Sequence, residues 1–134
     1  MHKIILFFIA TLYFFALDML WLGFLARNFY RQRLSFMLSD TTNWYAAAAF
    51  YVIYISGLLH FVVLPAIKTG QWQSALLNGA ILGIVCYATY DLVNMATISR
   101  WPLVITVVDI IWGAFITGSC ALAAYFVGTK WLHQ

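Results

Sequence analysis

Three aspartates occur inside apolar stretches at matching distances from arginines, and their carboxyl groups could exchange protons or bind a cation. Asp18 precedes Arg27 by nine residues. Asp91 precedes Arg100 by nine residues, and Asp109 follows Arg100 by nine. In antiparallel helices this spacing puts the three carboxyls at one depth, roughly 13 Å from the arginines at about 1.5 Å per residue. Because an ionisable group inside a membrane is costly and usually functional, the three aspartates predict a site.

The elements that must position these acids are four apolar segments. Of the 134 residues, 65% are hydrophobic and only 8% are charged, which leaves too few polar side chains to cover a soluble domain. Each segment has about the ~20 residues that a membrane-spanning helix needs. The sequence therefore predicts an all-α integral membrane protein, an antiparallel bundle of four transmembrane helices in a single domain over residues 1–134. The predicted spans are 4–26, 44–67, 75–98 and 103–127.

The loop charges give a weak indication of orientation. With four spans, both termini lie on the side that carries Lys3, Lys68 and Lys130, and the other side carries four arginines. The positive-inside rule favours the arginines in the cytoplasm and both termini outside, by a margin of one charge. The scattered charges form no basic run, so nucleic acid is not an expected partner.

Local motifs predict how the spans begin, end and pack. The long connection 27–43 predicts an interfacial helix, with Tyr30, Leu34, Met37 and Leu38 on one face. The run 40–43 supplies capping residues for the second span. Tryptophans at the span ends are expected to anchor at the membrane interface, and a G-x-x-x-G pair is expected to pack helices closely. These residues are Trp44, Trp72, Trp101, Trp131, Gly79 and Gly83. Cys86 and Cys120 are expected to remain unpaired, because they lie too far apart in depth for a disulfide.

Polar side chains gather on one face of each helix that carries an aspartate. Such faces are expected to meet protein or a wet cavity, because lipid offers their polar groups no partners. On the third helix the face comprises Gly83, Tyr87, Tyr90, Asp91, Asn94 and Thr97; on the fourth it comprises Thr106, Asp109, Gly113, Thr117 and Cys120. The predicted site joins the three aspartates to Asn94, which would orient a carboxylate, and to Tyr87, Tyr90, Trp21 and Trp112, which would line it.

Several chemistries are open to such a cluster. Close carboxylates repel each other and titrate as a coupled set. Their negative charge is therefore expected to be neutralised by protons, a divalent cation or a cationic ligand. Aromatic rings beside acids can also hold an organic cation. A purely structural alternative is that the aspartates hydrogen-bond neighbouring helices together. His60 lies deeper than the aspartates and is predicted to be a hydrogen-bonded core histidine, with a proton relay as the alternative role.

The motifs around the aspartates resemble a known family. The segments are Asp18–Gly23 and Asp109–Gly113, which share the pattern D-x-x-W with a nearby glycine, together with Tyr87–Thr97 and Trp101-Pro102. Together they resemble the bacterial family of predicted membrane proteins called domain of unknown function 2177, over nearly the whole chain. The resemblance implies a multi-pass protein of the bacterial inner membrane and favours an enzymatic or lipid-handling role. Four short spans with an acid in the first also resemble small multidrug transporters, although Asp18 replaces their glutamate.

Two functional hypotheses follow from the sequence. The first is proton-coupled binding or transport of a cationic or amphipathic small molecule, with Asp18, Asp91 and Asp109 exchanging protons. The alternative is a membrane-embedded enzyme or accessory protein in lipid or fatty-acid modification, in which the acids act in acid–base catalysis or hold a metal. No cofactor is evident beyond a divalent cation at the aspartates. The expected partners are the lipid bilayer, a small-molecule or lipid ligand, and a second copy of the chain.

Overall fold

Four long apolar helices make up most of the structure, a computed structural model that describes residues 2–34 and 43–130. Within these residues, each of the four helices is long and apolar enough to cross a membrane. We call them span 1 (Lys3–Leu25), span 2 (Trp44–Thr69), span 3 (Trp72–Thr97) and span 4 (Leu103–Lys130). A short connecting helix, Arg27–Leu34, follows span 1. The prediction of an all-α membrane protein with four spans is confirmed.

Two of the spans contain a π-helical turn. Span 1 is α-helical over His2–Leu20 and then forms a π turn at Trp21–Leu25, closed by a 2.8 Å bond from the Ala26 amide to the Trp21 carbonyl. Span 2 comprises Trp44–Leu58, a π turn at Leu59–Val63 and Leu64–Thr69. Pro65 follows this second turn and has no amide hydrogen to continue the regular ladder. A π turn changes which side chains face the bundle, and the first begins three residues after Asp18.

The ends of the spans follow the predicted capping chemistry in part. Asn43 caps span 2, and its side chain accepts a hydrogen bond of 3.2 Å from the Ala46 amide. Gly70 ends span 2 in the left-handed conformation, with φ of 73°, which glycine adopts without a steric cost. The other predicted capping residues, 40–42, and the predicted interfacial positions Met37 and Leu38 lie outside the described residues.

The connecting helix packs against the start of span 4. Leu34 is buried together with Trp101 and Ile105, and Phe29 and Tyr30 pack against this cluster. The prediction that Trp101 anchors at the lipid interface is therefore wrong: its indole nitrogen donates a 3.0 Å hydrogen bond to the Thr106 hydroxyl in the interior. The connecting helix covers Trp101, so the ring does not need headgroup contacts.

Spans 3 and 4 pack closely through small residues. A methyl group added at Gly79 would lie 2.8 Å from the Ala121 side chain, and one at Gly83 would lie 2.7 Å from the Gly113 carbonyl carbon. Neither position has room for a side chain. The predicted G-x-x-x-G packing is thus confirmed, and it brings the polar faces of the two helices together.

All four spans contribute side chains to the main apolar core. Phe14, Ile55, Leu58 and Ile116 are fully buried there, and the hydroxyls of Tyr54 and Thr117 share a 2.6 Å hydrogen bond across the core. Both cysteines are free thiols, as predicted. The many exposed apolar side chains on the outer faces of the four spans suit a surface that contacts lipid.

Candidate functional site

The three intramembrane aspartates lie together where spans 1, 3 and 4 meet. Asp91 is completely buried, and its carboxyl is within hydrogen-bonding reach of the Asp109 carboxyl. Asp18 lies near enough to Asp109 for their charges to interact. The depth alignment read from the sequence thus corresponds to spatial proximity, although the function of the three residues is still a prediction.

Asp18 is held by a tyrosine of span 2 and lies beside a tryptophan of span 4. The Tyr51 hydroxyl, on span 2, donates a hydrogen bond of 2.8 Å to Oδ2 of Asp18. The indole nitrogen of Trp112, on span 4, also lies close enough to interact with this carboxyl, but it makes no hydrogen bond to any described residue. Asp18 therefore has one phenolic hydrogen-bond donor, Tyr51, and the Trp112 indole beside it.

Asp109 is held from the connecting helix. The Tyr30 hydroxyl donates a hydrogen bond to Oδ1 of Asp109 and accepts a 3.1 Å bond from the indole nitrogen of Trp21. Burial, together with the bond to Asp109, raises the pKa of Tyr30 above its ordinary value of 10. Tyr30 therefore keeps its proton and acts as a hydrogen-bond donor at neutral pH.

The two D-x-x-W motifs are crossed in space. Trp21 and Trp112 stack face to face, with ring centroids 4.4 Å apart and planes at 9°. Trp112 reaches the aspartate of the first motif, Asp18, while Trp21 supports Asp109 through Tyr30. Each motif's tryptophan thus lies near the other motif's aspartate, Trp112 directly and Trp21 through Tyr30.

A cavity of about 580 Å³ opens between span 1, span 2 and the connecting helix. Asp18 and Tyr51 lie on its wall, and Arg27 and Arg31 contribute basic side chains. We call it the Asp18 cavity. Its other lining residues are mainly apolar or aromatic: Phe15, Met19, Leu22, Gly23, Tyr30, Trp44, Ala47 and Phe50. The cavity thus combines one acid, two guanidinium groups and an apolar wall.

The remaining predicted site residues on span 3 lie around this centre. Tyr87 packs closely against Gly113 and is near enough to Asp18 and Asp109 for electrostatic interaction. Tyr87 and Tyr90 line a different cavity of about 280 Å³, together with Phe50, Tyr54 and Cys86. Tyr90 is 60% exposed and makes an edge contact with Trp101, and Asn94 is half-buried. The two tyrosines therefore line a different cavity from the one that Asp18 lines.

His60 lies away from the aspartates. It is exposed and lines a third cavity with Lys3, Phe7 and Ser56. The prediction of a core histidine is wrong: His60 lies on the same exposed face as Ser56, and the neighbouring Leu59, Val62 and Val63 are the buried residues of this turn. The structure does not bring His60 into contact with the acidic cluster, and its role as a proton relay is untested.

Metal binding at the acids has limited support from geometry. Among residues 2–34 and 43–130, no group of three or more histidine, cysteine, aspartate or glutamate side chains is arranged to hold a metal ion. A divalent cation there would need ligands beyond the carboxyls, such as hydroxyls or water. The divalent cation at the aspartates remains a prediction.

Two tyrosines of the site were not among the predicted residues. Tyr51 lies seven residues inside span 2, so counting depth from Trp44 would put it about 10 Å deep, at a level similar to that of the aspartates. Tyr30 gives no such signal, because it reaches Asp109 only after the chain turns back along the connecting helix. Sequence periodicity places Tyr30 on the apolar face of an interfacial helix instead.

These features together define the class of the protein: a multi-pass membrane protein with carboxyl groups clustered between its spans. The chain belongs to the family described as "Predicted membrane protein (DUF2177)", which matches residues 3–126. This confirms the resemblance seen in the sequence. No curated protein and no solved structure matches the chain.

Proposed function

We propose that this protein binds an amphipathic molecule that enters from the bilayer into the Asp18 cavity, and that Asp18 exchanges a proton when the molecule binds. The observation that carries the proposal is the composition of this cavity. A carboxyl held by Tyr51, two arginines and an apolar wall surround a space of about 580 Å³. Ligand sites in proteins commonly combine such an apolar wall with a few convergent polar groups.

The charges in the cavity favour an amphipathic ligand over a cationic one. Arg27 and Arg31 are four residues apart on the connecting helix, so they lie on the same face of it. Two guanidinium groups suit an anionic head group and repel a cationic one. The apolar side chains, such as Phe15, Met19 and Leu22, suit a hydrocarbon chain. The ligand that fits these groups therefore carries both an anionic head and an apolar chain.

Asp18 couples ligand binding to proton uptake. An anionic head group near an ionised carboxylate is repelled, and a proton on Asp18 removes that repulsion. The Tyr51 hydroxyl can donate to the carboxylate or accept from the protonated acid, so both states keep a partner. Ligand binding and proton uptake by Asp18 are then coupled, and the cycle of uptake and release would support transport.

Binding can be tested with a long-chain carboxylate that is brominated along its chain, since bromine quenches nearby tryptophan fluorescence. With protein in lipid nanodiscs, we expect saturable quenching that is largely lost in Trp44→Phe, because Trp44 lines the cavity. Replacing Arg27 and Arg31 by Gln should weaken binding by about 2- to 30-fold, at ~0.2–1 kcal/mol for each charge. Arg33→Gln is the matched control: Arg33 lies on the same helix but contacts Phe29 instead.

The proton is followed in the same experiment with a pH-sensitive dye in weak buffer. Wild-type protein should take up protons when the brominated carboxylate binds, and Asp18→Asn should bind it without proton uptake. Equal quenching in the Trp44→Phe and wild-type proteins, or equal weakening by the Arg33 and Arg27/Arg31 substitutions, would contradict the proposal.

The geometry also supports a second candidate, a membrane-embedded enzyme acting on lipid or fatty acid. A carboxyl with a phenol 2.8 Å away, both facing a cavity, is an arrangement that general acid–base catalysis can use. This candidate predicts an altered lipid composition in a deletion strain, restored by the wild-type chain and not by Asp18→Asn or Tyr51→Phe. An accessory role in lipid modification predicts instead that both variants restore the lipids as well as the wild type does.

A further inference from the structure

The Asp91 and Asp109 carboxyls form a pair that the Asp18 cavity does not include. Asp91 is 0% exposed, and neither of its oxygens accepts a hydrogen bond from a donor in residues 2–34 and 43–130. Its carboxyl instead lies within hydrogen-bonding reach of the Asp109 carboxyl. Neither residue lines the Asp18 cavity. The pair is therefore a feature of its own, at the interface of spans 3 and 4.

Two ionised carboxylates in this position could not form a hydrogen bond with each other. Ionised carboxylates only accept hydrogen bonds, so the contact would be repulsive, and the buried Asp91 would remain unsatisfied. One proton resolves both problems. With the proton on Asp91, its O–H donates to the Asp109 carboxylate, and the pair carries one negative charge instead of two.

We propose that Asp91 and Asp109 hold one proton between them and form a proton-binding site separate from the ligand cavity. The remaining negative charge lies on Asp109, where the Tyr30 hydroxyl donates to it. The other titratable groups facing the pair are Asp18 from span 1 and Tyr87 from span 3. Span 2 contributes Tyr51 to Asp18, and not to the pair.

Tyr30 connects this proton site to the cavity. Its hydroxyl bonds Asp109, while the residue also lines the Asp18 cavity. Tyr30 lies on the same short helix as Arg27 and Arg31. A change in the charge of the pair therefore acts on the bond that fixes the helix carrying the cavity's basic groups. The shared proton itself does not depend on any ligand, so it can be tested on the protein alone.

Infrared spectroscopy detects the proton directly, because a protonated carboxyl has a carbonyl band that an ionised one lacks. At neutral pH the wild-type protein should show this band, and exchange into D₂O should shift it. Asp91→Asn should remove the intensity of one carboxyl, because it removes the protonated partner. Asp109→Asn should instead keep the proton on the buried Asp91 and shift the frequency of its band. The double variant should remove no more intensity than Asp91→Asn does, because the pair holds only one proton. If Asp91→Asn fails to fold, the frequency shift of the band in Asp109→Asn still reports whether the proton is held beside residue 109.

Further variants distinguish one shared proton from two independent protons and from a bound metal ion. Asp18→Asn is the control, and its effect on the band should add to that of Asp91→Asn. Tyr30→Phe should shift the frequency of the pair's band and leave its intensity unchanged. A double variant that loses twice the intensity lost in Asp91→Asn would mean two independent protonated acids and would overturn the proposal. An unchanged band in both single variants would mean an ionised pair, and restoration of the wild-type spectrum by added Mg²⁺ after chelation would then identify a metal site instead.

Discussion

Replacing Gly83 by alanine should separate spans 3 and 4 and destabilise the protein. The added methyl group would lie 2.7 Å from the Gly113 carbonyl carbon and 2.9 Å from the Thr117 side chain, and closer still to the Gly113 oxygen. Ordinary van der Waals contact begins near 3.4 Å, so the backbones must move apart locally by about 1 Å. Over-packing of this kind typically costs about 1–3 kcal/mol.

The helix itself gains from the same substitution, so a matched control is needed. Alanine is favoured over glycine inside a helix by roughly 0.5–1 kcal/mol. Gly57 lies inside the helix of span 2, and a methyl group added there meets nothing within 4 Å. Gly57→Ala should therefore show the helix gain alone. The difference between the two variants then isolates the packing penalty of about 1–3 kcal/mol.

The assay is the free energy of unfolding in mixed detergent micelles, measured by circular dichroism for the wild type and both variants. We expect Gly57→Ala to equal or exceed the wild type and Gly83→Ala to be less stable than Gly57→Ala. If the two alanine variants have the same stability, the close approach of spans 3 and 4 at Gly83 does not exist in the folded protein. The reasoning about this interface would then be refuted.

Two further predictions concern topology and protonation. In a cysteine-free background, single cysteines at Arg33 and Arg100 should be labelled from one side of the membrane and a cysteine at Lys68 from the other; labelling of all three from one side would exclude four spans. The raised pKa of Tyr30 means that its neutral form stabilises the fold fully below about pH 10 and that this stabilisation is lost at higher pH as the phenol ionises. The tyrosinate absorbance that Tyr30→Phe removes should therefore appear only above pH ~10, and its appearance near neutral pH would contradict the bond to Asp109.

The sequence predicted the depth of the acids because depth in a membrane helix is a matter of counting. The rise per residue is constant, so the nine-residue spacings from Arg27 and Arg100 were sufficient to align Asp18, Asp91 and Asp109. The small residues Gly79 and Gly83 likewise identified the close helix contact from their spacing alone.

It was harder to predict which side chains face the interior of the bundle, because this depends on how the helices are arranged around one another. The four-residue spacing of Ser56 and His60 indicates a shared helix face but not whether that face is buried, and both side chains are exposed. Trp101 was assigned to lipid because the connecting helix that covers it could not be positioned from sequence. The contact between Tyr30 and Asp109 joins residues 79 positions apart, and no local pattern reports such a tertiary contact.

Selection should act on the two D-x-x-W motifs as one unit, because the tryptophan of each motif lies near the aspartate of the other, directly or through Tyr30. A substitution at Trp112 alters the surroundings of Asp18, and a substitution at Trp21 acts on Asp109 through Tyr30. The stacked rings also constrain each other's size, since their centroids are only 4.4 Å apart. Related sequences that diverge here should therefore change positions 21 and 112 together. Neither span 1 nor span 4 could then be exchanged between distant relatives without its counterpart.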